Sequence, residues 1–254
     1  MSRPENALAR TRALGVVLPI HNEEDLLDAA LNSLQDTFTL ICGWRIEYQF
    51  VIVLDSCTDT SAQIVEQWHH RRRWESNSPE VTVITSESHN VGFARALGCA
   101  TLLDTWYRLN PATIWIATTD ADSRVPEEWL KAQVLQHELG VDLWCGRVSV
   151  SDWSSRLEGT SEQWQREYEE EADPIHGTSL GCNAEIYLAS GGFRPIESSE
   201  DRDLCRRLQA MGAVVHFDSS VPVVTSARRN ARAPLGFAHA LGEVEENLGM
   251  TAFG

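Results

Sequence analysis

Short apolar runs alternate with longer stretches of helical period along the first half of the chain. The runs are Leu14 to Leu18, Phe50 to Leu54, Val81 to Thr85 and Ile114 to Thr118, and the helical patterns that follow them cover 24–35, 60–72, 91–109 and 126–138. Continuous apolar runs bounded by polar clusters suit strands buried on both faces. Their alternation with helices predicts an α/β protein with a mostly parallel sheet and right-handed crossovers. The second half is less regular. It reads as a strand near 142–150, a very acidic amphipathic segment at 155–173, a Gly-rich loop at 176–183, helices near 183–190 and 200–211, and one further helix from Pro234 onward. A boundary near 150 divides one continuous domain into lobes at 1–150 and 151–254.

Ligands of open α/β sheets gather at the carboxyl ends of the strands. Three polar clusters fall where predicted strands stop: His21-Asn22-Glu23, Asp55-Ser56-Cys57-Thr58-Asp59 and Asp120-Ala121-Asp122. The first half therefore reads as a nucleotide-binding lobe. Alternate residues of an extended chain point the same way, so Asp120 and Asp122 can face one hard cation, or one of them a cation and the other a sugar hydroxyl. The plainer alternative is a turn leading to Pro126 and a helix. Pro19, His21, Asn22 and Glu23 form either a helix cap or a shelf for a base and ribose. Asp55 is placed to accept the imide N–H of a pyrimidine base or a ribose hydroxyl, while Asp59 suits a helix N-cap. Asn90, Gly92 and Arg95 open another helix, where backbone N–H groups and a cation suit a phosphate. A solvated helix face is the alternative for Arg95.

The six cysteines have no C-x-x-C pair or zinc-finger spacing. They read as reduced thiols of a cytoplasmic protein. No signal-peptide pattern precedes Leu14 and no apolar run reaches the roughly 20 residues of a membrane span, so a soluble chain is expected. The formal charge of −16 opposes attraction to nucleic acid or anionic lipid. An anionic substrate would need local positive charge or a metal.

The ordered set Pro19-x-His21-Asn22-Glu23, Asp55-Ser56-Cys57-Thr58-Asp59, Asn90-x-Gly92, Asp120-x-Asp122 and Glu200-Asp201 resembles the family 2 glycosyltransferases of the GT-A fold. The resemblance implies a donor that is a nucleoside diphosphate sugar, a UDP-sugar foremost, and a hydroxyl acceptor that is a small molecule or glycan. It implies Mg²⁺ or Mn²⁺ on Asp122 with Asp120 nearer the ribose and sugar, base contact by Asp55, and Asp201 as general base oriented by Glu200. It assigns 1–150 to the nucleotide sugar and 151–254 to the acceptor, and allows a homodimer. His21 stands where an aromatic hydroxyl is more usual in the family, and Leu54 where many members carry a second acidic residue. The Gln-x-x-Arg-Trp signature of processive members is absent, so single sugar addition is expected.

Three further features acquire roles by the same resemblance. The loop His176 to Asn183 would floor the donor-sugar pocket, with Asn183 a sugar or acceptor contact. Arg228, Arg229 and Arg232 form a basic patch that could neutralise a leaving diphosphate or bind an anionic acceptor. The third metal ligand that many GT-A enzymes place in this region, often histidine, has Thr225 and Ser226 as its local counterparts. Competing readings are a retaining transferase similar to the glucosyl-3-phosphoglycerate synthases and a catalytically silent binding module. A nucleotidyltransferase is disfavoured because Pro19 to Glu24 holds neither glycine nor a basic residue.

Overall fold

The computed structural model describes residues 9–71, 79–171, 173–229 and 237–251. Its centre is β1 (Ala13–Ile20), buried along its whole length. β1 lies between β2 (Glu47–Asp55) and β4 (Ile114–Thr118), parallel to both, and β2 pairs in parallel with β3 (Glu80–Ser86). Central parallel strands covered on both faces have no solvent side, which is why their sequences are continuous apolar runs. β3 forms an edge of the sheet and returns to mixed exposure.

Helices α1 (Leu27–Thr37), α2 (Ser61–Arg71), α3 (Val91–Thr105) and α4 (Trp129–Glu138) supply the crossovers. α3 lies close on the sheet because Gly98 leaves room for it. A Cβ there would collide with the Val17 side chain and press on Val53. Two apolar cores result, one on each face. Leu14, Leu31, Phe50, Trp68 and Trp129 belong to one, and Val17, Val53, Leu102, Leu143 and Leu204 to the other.

β5 (Leu143–Ser151), α5 (Thr160–Glu170), β6 (Leu180–Asn183), α6 (Ala184–Ala189), α7 (Glu200–Ala210), β7 (Val215–Ser226) and α8 (Phe237–Thr251) complete the described chain. The sheet order is β3-β2-β1-β4-β6-β5-β7. β6 pairs antiparallel with both β4 and β5, while β7 runs parallel to β5. The expected Gly-rich loop at 176–183 is thus a 3-10 turn, Gly177–Ser179, running straight into a strand. The long edge strand β7 is an element the hydrophobic pattern did not predict.

Direction now fixes the site. β4, β5 and β7 share one polarity and β6 opposes it, so the ends of β4 and β7 and the start of β6 meet at one edge of the sheet. Residues 119–123, 176–179 and 225–229 therefore line the same cleft as the loops that follow β1, β2 and β3.

Candidate active site

At the mouth of β1 and β2, two loops cap each other. Asn22 adopts a left-handed backbone, φ 54°, and its carbonyl accepts from the Thr58 and Asp59 amides at 2.7 and 3.2 Å. Glu24 accepts from the Thr60 amide at 3.1 Å, and Asp59 accepts from the amides of Glu24 and Ser61. Asn22 thus serves the loop in place of a ligand, and Pro19 is buried inside β1. His21 remains partly exposed. Its Nδ1–H donates to the Asp55 carbonyl at 2.7 Å, and its ring meets His89 edge-on at 5.7 Å.

Asp55 is the first clear correction. Its carboxylate is 3% exposed and accepts from the Ser88, His89 and Asn90 amides and the Ser88 hydroxyl, at 2.8 to 3.2 Å. With the Ser56 hydroxyl also at 3.3 Å, these donors occupy the carboxylate oxygens, so Asp55 organises the β3–α3 loop where a base contact was expected. Burial raises its pKa, but the amides of Asn90 and Ser88 outweigh that and hold it below the usual carboxylate range. Asn90 in turn caps α3, accepting from the Phe93 amide at 2.8 Å and donating to the Ile196 carbonyl at 3.1 Å. Gly92 gives that same segment room, since a Cβ there would overlap the Arg194 carbonyl. Both residues shape the loop at which a phosphate was expected.

Arg95 is the second correction. Expected at a phosphate, it is 3% exposed, and its guanidinium pairs with Glu200 on one side and Asp120 on the other. Gly177 packs flat against it, because any Cβ there would strike both terminal nitrogens. Glu200 is also buried, so it holds Arg95 and does not face the cleft. Asp120, 32% exposed at its side chain, also accepts from the Thr178 hydroxyl. The neighbouring Gly177 amide donates to Asp201 at 2.6 Å. Two adjacent residues of one turn thus hold the first carboxylate of the Asp-x-Asp and the carboxylate of α7. Behind this turn His176 lies between Tyr168 and Phe237, and burial depresses its imidazole to about 4, against the opposing pull of Asp201.

Asp122 faces the other wall. It accepts from the Ser123 hydroxyl at 2.8 Å and pairs with Arg228 at 3.0 Å. The other arm of Arg228 reaches Glu23 at 2.5 Å. Burial pushes the Asp122 carboxyl up, Arg228 opposes this, and Asp120 adds repulsion in the same upward direction. Burial lowers the Arg228 guanidinium, but Glu23 and Asp122 raise it further than burial depresses it. Among the described residues Glu200 and Asp120 share the guanidinium of Arg95, Glu23 and Asp122 share that of Arg228, and Asp201 is held by the Gly177 amide.

The loop bearing Arg228 is braced by residues that sequence reasoning passed over. Arg156, 2% exposed at its side chain, donates to the carbonyls of Ala227, Arg228 and Ala238 and pairs with Glu245 of α8. Arg229 joins the same network, pairing with Glu245 at 2.9 Å and donating to the Ser155 carbonyl, so it is committed to the scaffold and not to a diphosphate. Arg232 lies outside the described residues. On the facing side Arg124 and Val224 exchange backbone hydrogen bonds, and the Ser123 and Thr225 hydroxyls bond at 3.0 Å. Thr178 sat in a loop already marked by its glycines, whereas a lone arginine at 156 and a glutamate on a helix carried no signal.

Asn183 is the third correction. β6 runs against β4, so its last residue lies at the edge opposite the cleft, paired with Trp115. There Asn183 is 1% exposed, caps α6 by accepting from the Glu185 amide, and donates to the Ala112 carbonyl and His137 Nε2, each at 2.9 Å. Replacing Asn183 with Ala is expected to cost about 1–3 kcal/mol of stability by removing the cap and orphaning buried partners. Nucleotide affinity should stay unchanged; a chemical denaturation curve and a binding isotherm on the same variant check both.

Asp120 and Asp122 are the hard oxygen donors of this cluster, each of them engaged by an arginine. Among the described residues no group of three His, Cys, Asp or Glu side chains is arranged to hold a metal, so the remaining coordination would fall to ligand oxygens and water.

A sequence model of the family described as Glycosyl transferase family 2 matches residues 15–196. Among solved structures the chain is similar to the mannosyltransferase PcManGT from Pyrobaculum calidifontis in complex with GDP-Man and Mn²⁺, at TM-score 0.63 and 15% identity, covering 97% of this chain and 73% of that one. It is similar to S. aureus TarS 1-349 in complex with UDP, at TM-score 0.59 and 17% identity, covering 85% and 61%. It is also similar to M. tuberculosis glucosyl-3-phosphoglycerate synthase in complex with Mg²⁺ and UDP, at TM-score 0.52 and 18% identity, covering 98% and 80%. At such identities the likeness shows a shared α/β architecture. The chain spans 60% of the TarS 1-349 chain. No curated protein sequence matches it significantly. No described helix is long and apolar enough to cross a membrane.

Proposed function

Given that this chain belongs to glycosyl transferase family 2, we propose that it moves a sugar from a nucleoside diphosphate sugar, a UDP-sugar in the first instance, to an acceptor hydroxyl by single displacement with inversion. The observation that carries the reading is the shared turn. Thr178 holds Asp120 and the adjacent Gly177 holds Asp201, so the first carboxylate of the Asp-x-Asp and the carboxylate that opens α7 are anchored on one turn. Glycosyl transfer with inversion needs that pairing: one group where the diphosphate departs, and one where the acceptor loses its proton.

In this reading the partly exposed His21 receives the base, its ring oriented by the Nδ1–H bond to the Asp55 carbonyl. Mg²⁺ or Mn²⁺ on Asp122, with Asp120 beside it, would supply Lewis-acid neutralisation of the leaving diphosphate. Asp201 takes the acceptor proton, and Arg95 with Glu200 keeps Asp120 and the 177–178 turn in register. The complexes of similar structures with UDP, GDP-Man, Mn²⁺ or Mg²⁺ support the donor class. Acceptor contacts belong to the second half of the chain.

A thermal-shift screen of nucleoside diphosphates and their sugars, with and without Mn²⁺, tests the donor. Saturation at 100 times Kd should raise stability by about 2.7 kcal/mol, which for a chain of this size is several degrees. Absence of any shift across the set would defeat the donor assignment. NMR of the product's anomeric centre then separates inversion from the retaining alternative.

A further inference from the structure

Arg228 occupies an unusual station. Its guanidinium spans Glu23 and Asp122, the same carboxylate to which the proposed function assigns the metal. We propose that Arg228 is a placeholder cation, parked on Asp122 while the cleft lacks a diphosphate and transferred to the diphosphate when the donor binds, so that nucleotide and divalent ion load cooperatively. The proposal rests on the donor reading above.

Three observations support it. The first is a contrast between the two arginines of the cluster. Arg95 is 3% exposed and wedged against Gly177, so it cannot leave, whereas the Arg228 side chain is 23% exposed at the rim. The second is that the backbone beneath Arg228 is fixed by Arg156 and by the Ser226 hydroxyl, which accepts from the Arg228 amide at 3.2 Å. A flexible side chain on a rigid base can exchange partners without refolding a loop. The third is competition for one carboxylate: Arg228 pairs with Asp122 at 3.0 Å, the group to which the donor reading assigns the metal, so guanidinium and divalent ion cannot hold the same oxygens together. With Arg228 moved to the diphosphate, Asp122 would be free to hold a divalent ion, which would add the charge neutralisation that the leaving diphosphate needs.

Linkage gives a direct test. The factor by which nucleotide tightens Mn²⁺ binding equals the factor by which Mn²⁺ tightens nucleotide binding. Mn²⁺ affinity is measured by electron paramagnetic resonance of free Mn²⁺, with and without saturating UDP, or GDP where that binds tighter. In the native chain Mn²⁺ alone should bind weakly and UDP should tighten it strongly. In Arg228→Ala, Mn²⁺ alone should bind about tenfold tighter, and the coupling factor should shrink by about tenfold. Arg228→Lys keeps a cation without the two-armed fork and should retain part of the coupling, which guards against a folding artefact in the alanine variant. If Arg228 were a fixed charge, the alanine variant would shift Mn²⁺ affinity equally with and without nucleotide. An unchanged coupling factor therefore overturns the placeholder while leaving the donor reading standing. Failure of the native chain to bind either Mn²⁺ or nucleotide overturns both.

Discussion

Replacing Asp201 with Asn is expected to cut kcat by about 10²–10⁴-fold, the range general-base groups supply, while leaving the Kd of a non-reacting nucleotide within about threefold of native. The substitution keeps the shape of the side chain but removes its capacity to take a proton. Asp201 sits in the first turn of α7, where it accepts from the Gly177 amide at 2.6 Å and the Arg202 amide at 2.7 Å. Asparagine has one carbonyl oxygen, so one of those donors loses its partner, and the favourable interaction of a negative charge with the helix start is also lost, at about 0.3–1 kcal/mol. A modest fall in Tm is therefore part of the expectation, and it is far too small to account for the loss of turnover. Single-turnover transfer assays beside calorimetric nucleotide titration read the two quantities separately. Loss of donor binding together with turnover would assign Asp201 to holding the 177–178 turn instead of to proton transfer.

The reason Asn183 was misleading in the sequence lies in strand direction. Apolar runs at β1, β2 and β4 announced themselves because strands buried on both faces carry little else. The carboxyl ends of those strands could be named from the sequence alone. β6 is four residues long, Leu-Gly-Cys-Asn, and its glycine and proximity to a turn disguised it as loop. Without its antiparallel sense, nothing distinguished the end of the 176–183 segment at the cleft from the end at the far edge. β7 was hidden for a different reason. It is an edge strand, where Pro222 and the polar stretch Asp218-Ser219-Ser220 are tolerated because one side makes no ladder.

Charge was legible by type and not by role. Asp55, Asn90, Gly92 and Arg95 were each marked as ligands because they cluster at strand ends, yet the structure satisfies them largely with one another and with the chain. A loop at a sheet edge must pair its own amides before it can serve a substrate. Short-range spacing cannot tell a carboxylate that accepts four protein donors from one that awaits a ligand. Arg228 and Glu23, separated by most of the sequence, could meet only once β7 was known to run beside β5 toward the same edge as β1.

Arg95→Met should be the most damaging single change to the scaffold, at about 3–5 kcal/mol, because it removes one partner of a buried pair and leaves the other charged. Glu200 is 5% exposed and would lose its guanidinium, as would Asp120, and the methionine stem would still fill the space beside Gly177. For a chain of this length the loss corresponds to a fall of roughly 10 °C in Tm. The deficit should depend on pH in a defined direction. An unpaired buried carboxylate favours its neutral form in the folded state, so the variant's handicap is largest at neutral and alkaline pH and lessens as the solution is acidified and Glu200 takes a proton. The double variant Arg95→Met with Glu200→Gln removes both charges of that pair and should regain about half of the lost stability, with the two changes strongly non-additive. Denaturant unfolding of the native chain, both single variants and the double variant at pH 5 and pH 7.5 gives the full cycle. Simple additivity would mean that Arg95 stabilises the fold by packing alone, and that Glu200 finds another partner when the arginine is gone. Donor turnover in the double variant then reports whether Asp120 still needs the guanidinium once the fold no longer does, which isolates the positioning role of Arg95 from its structural one.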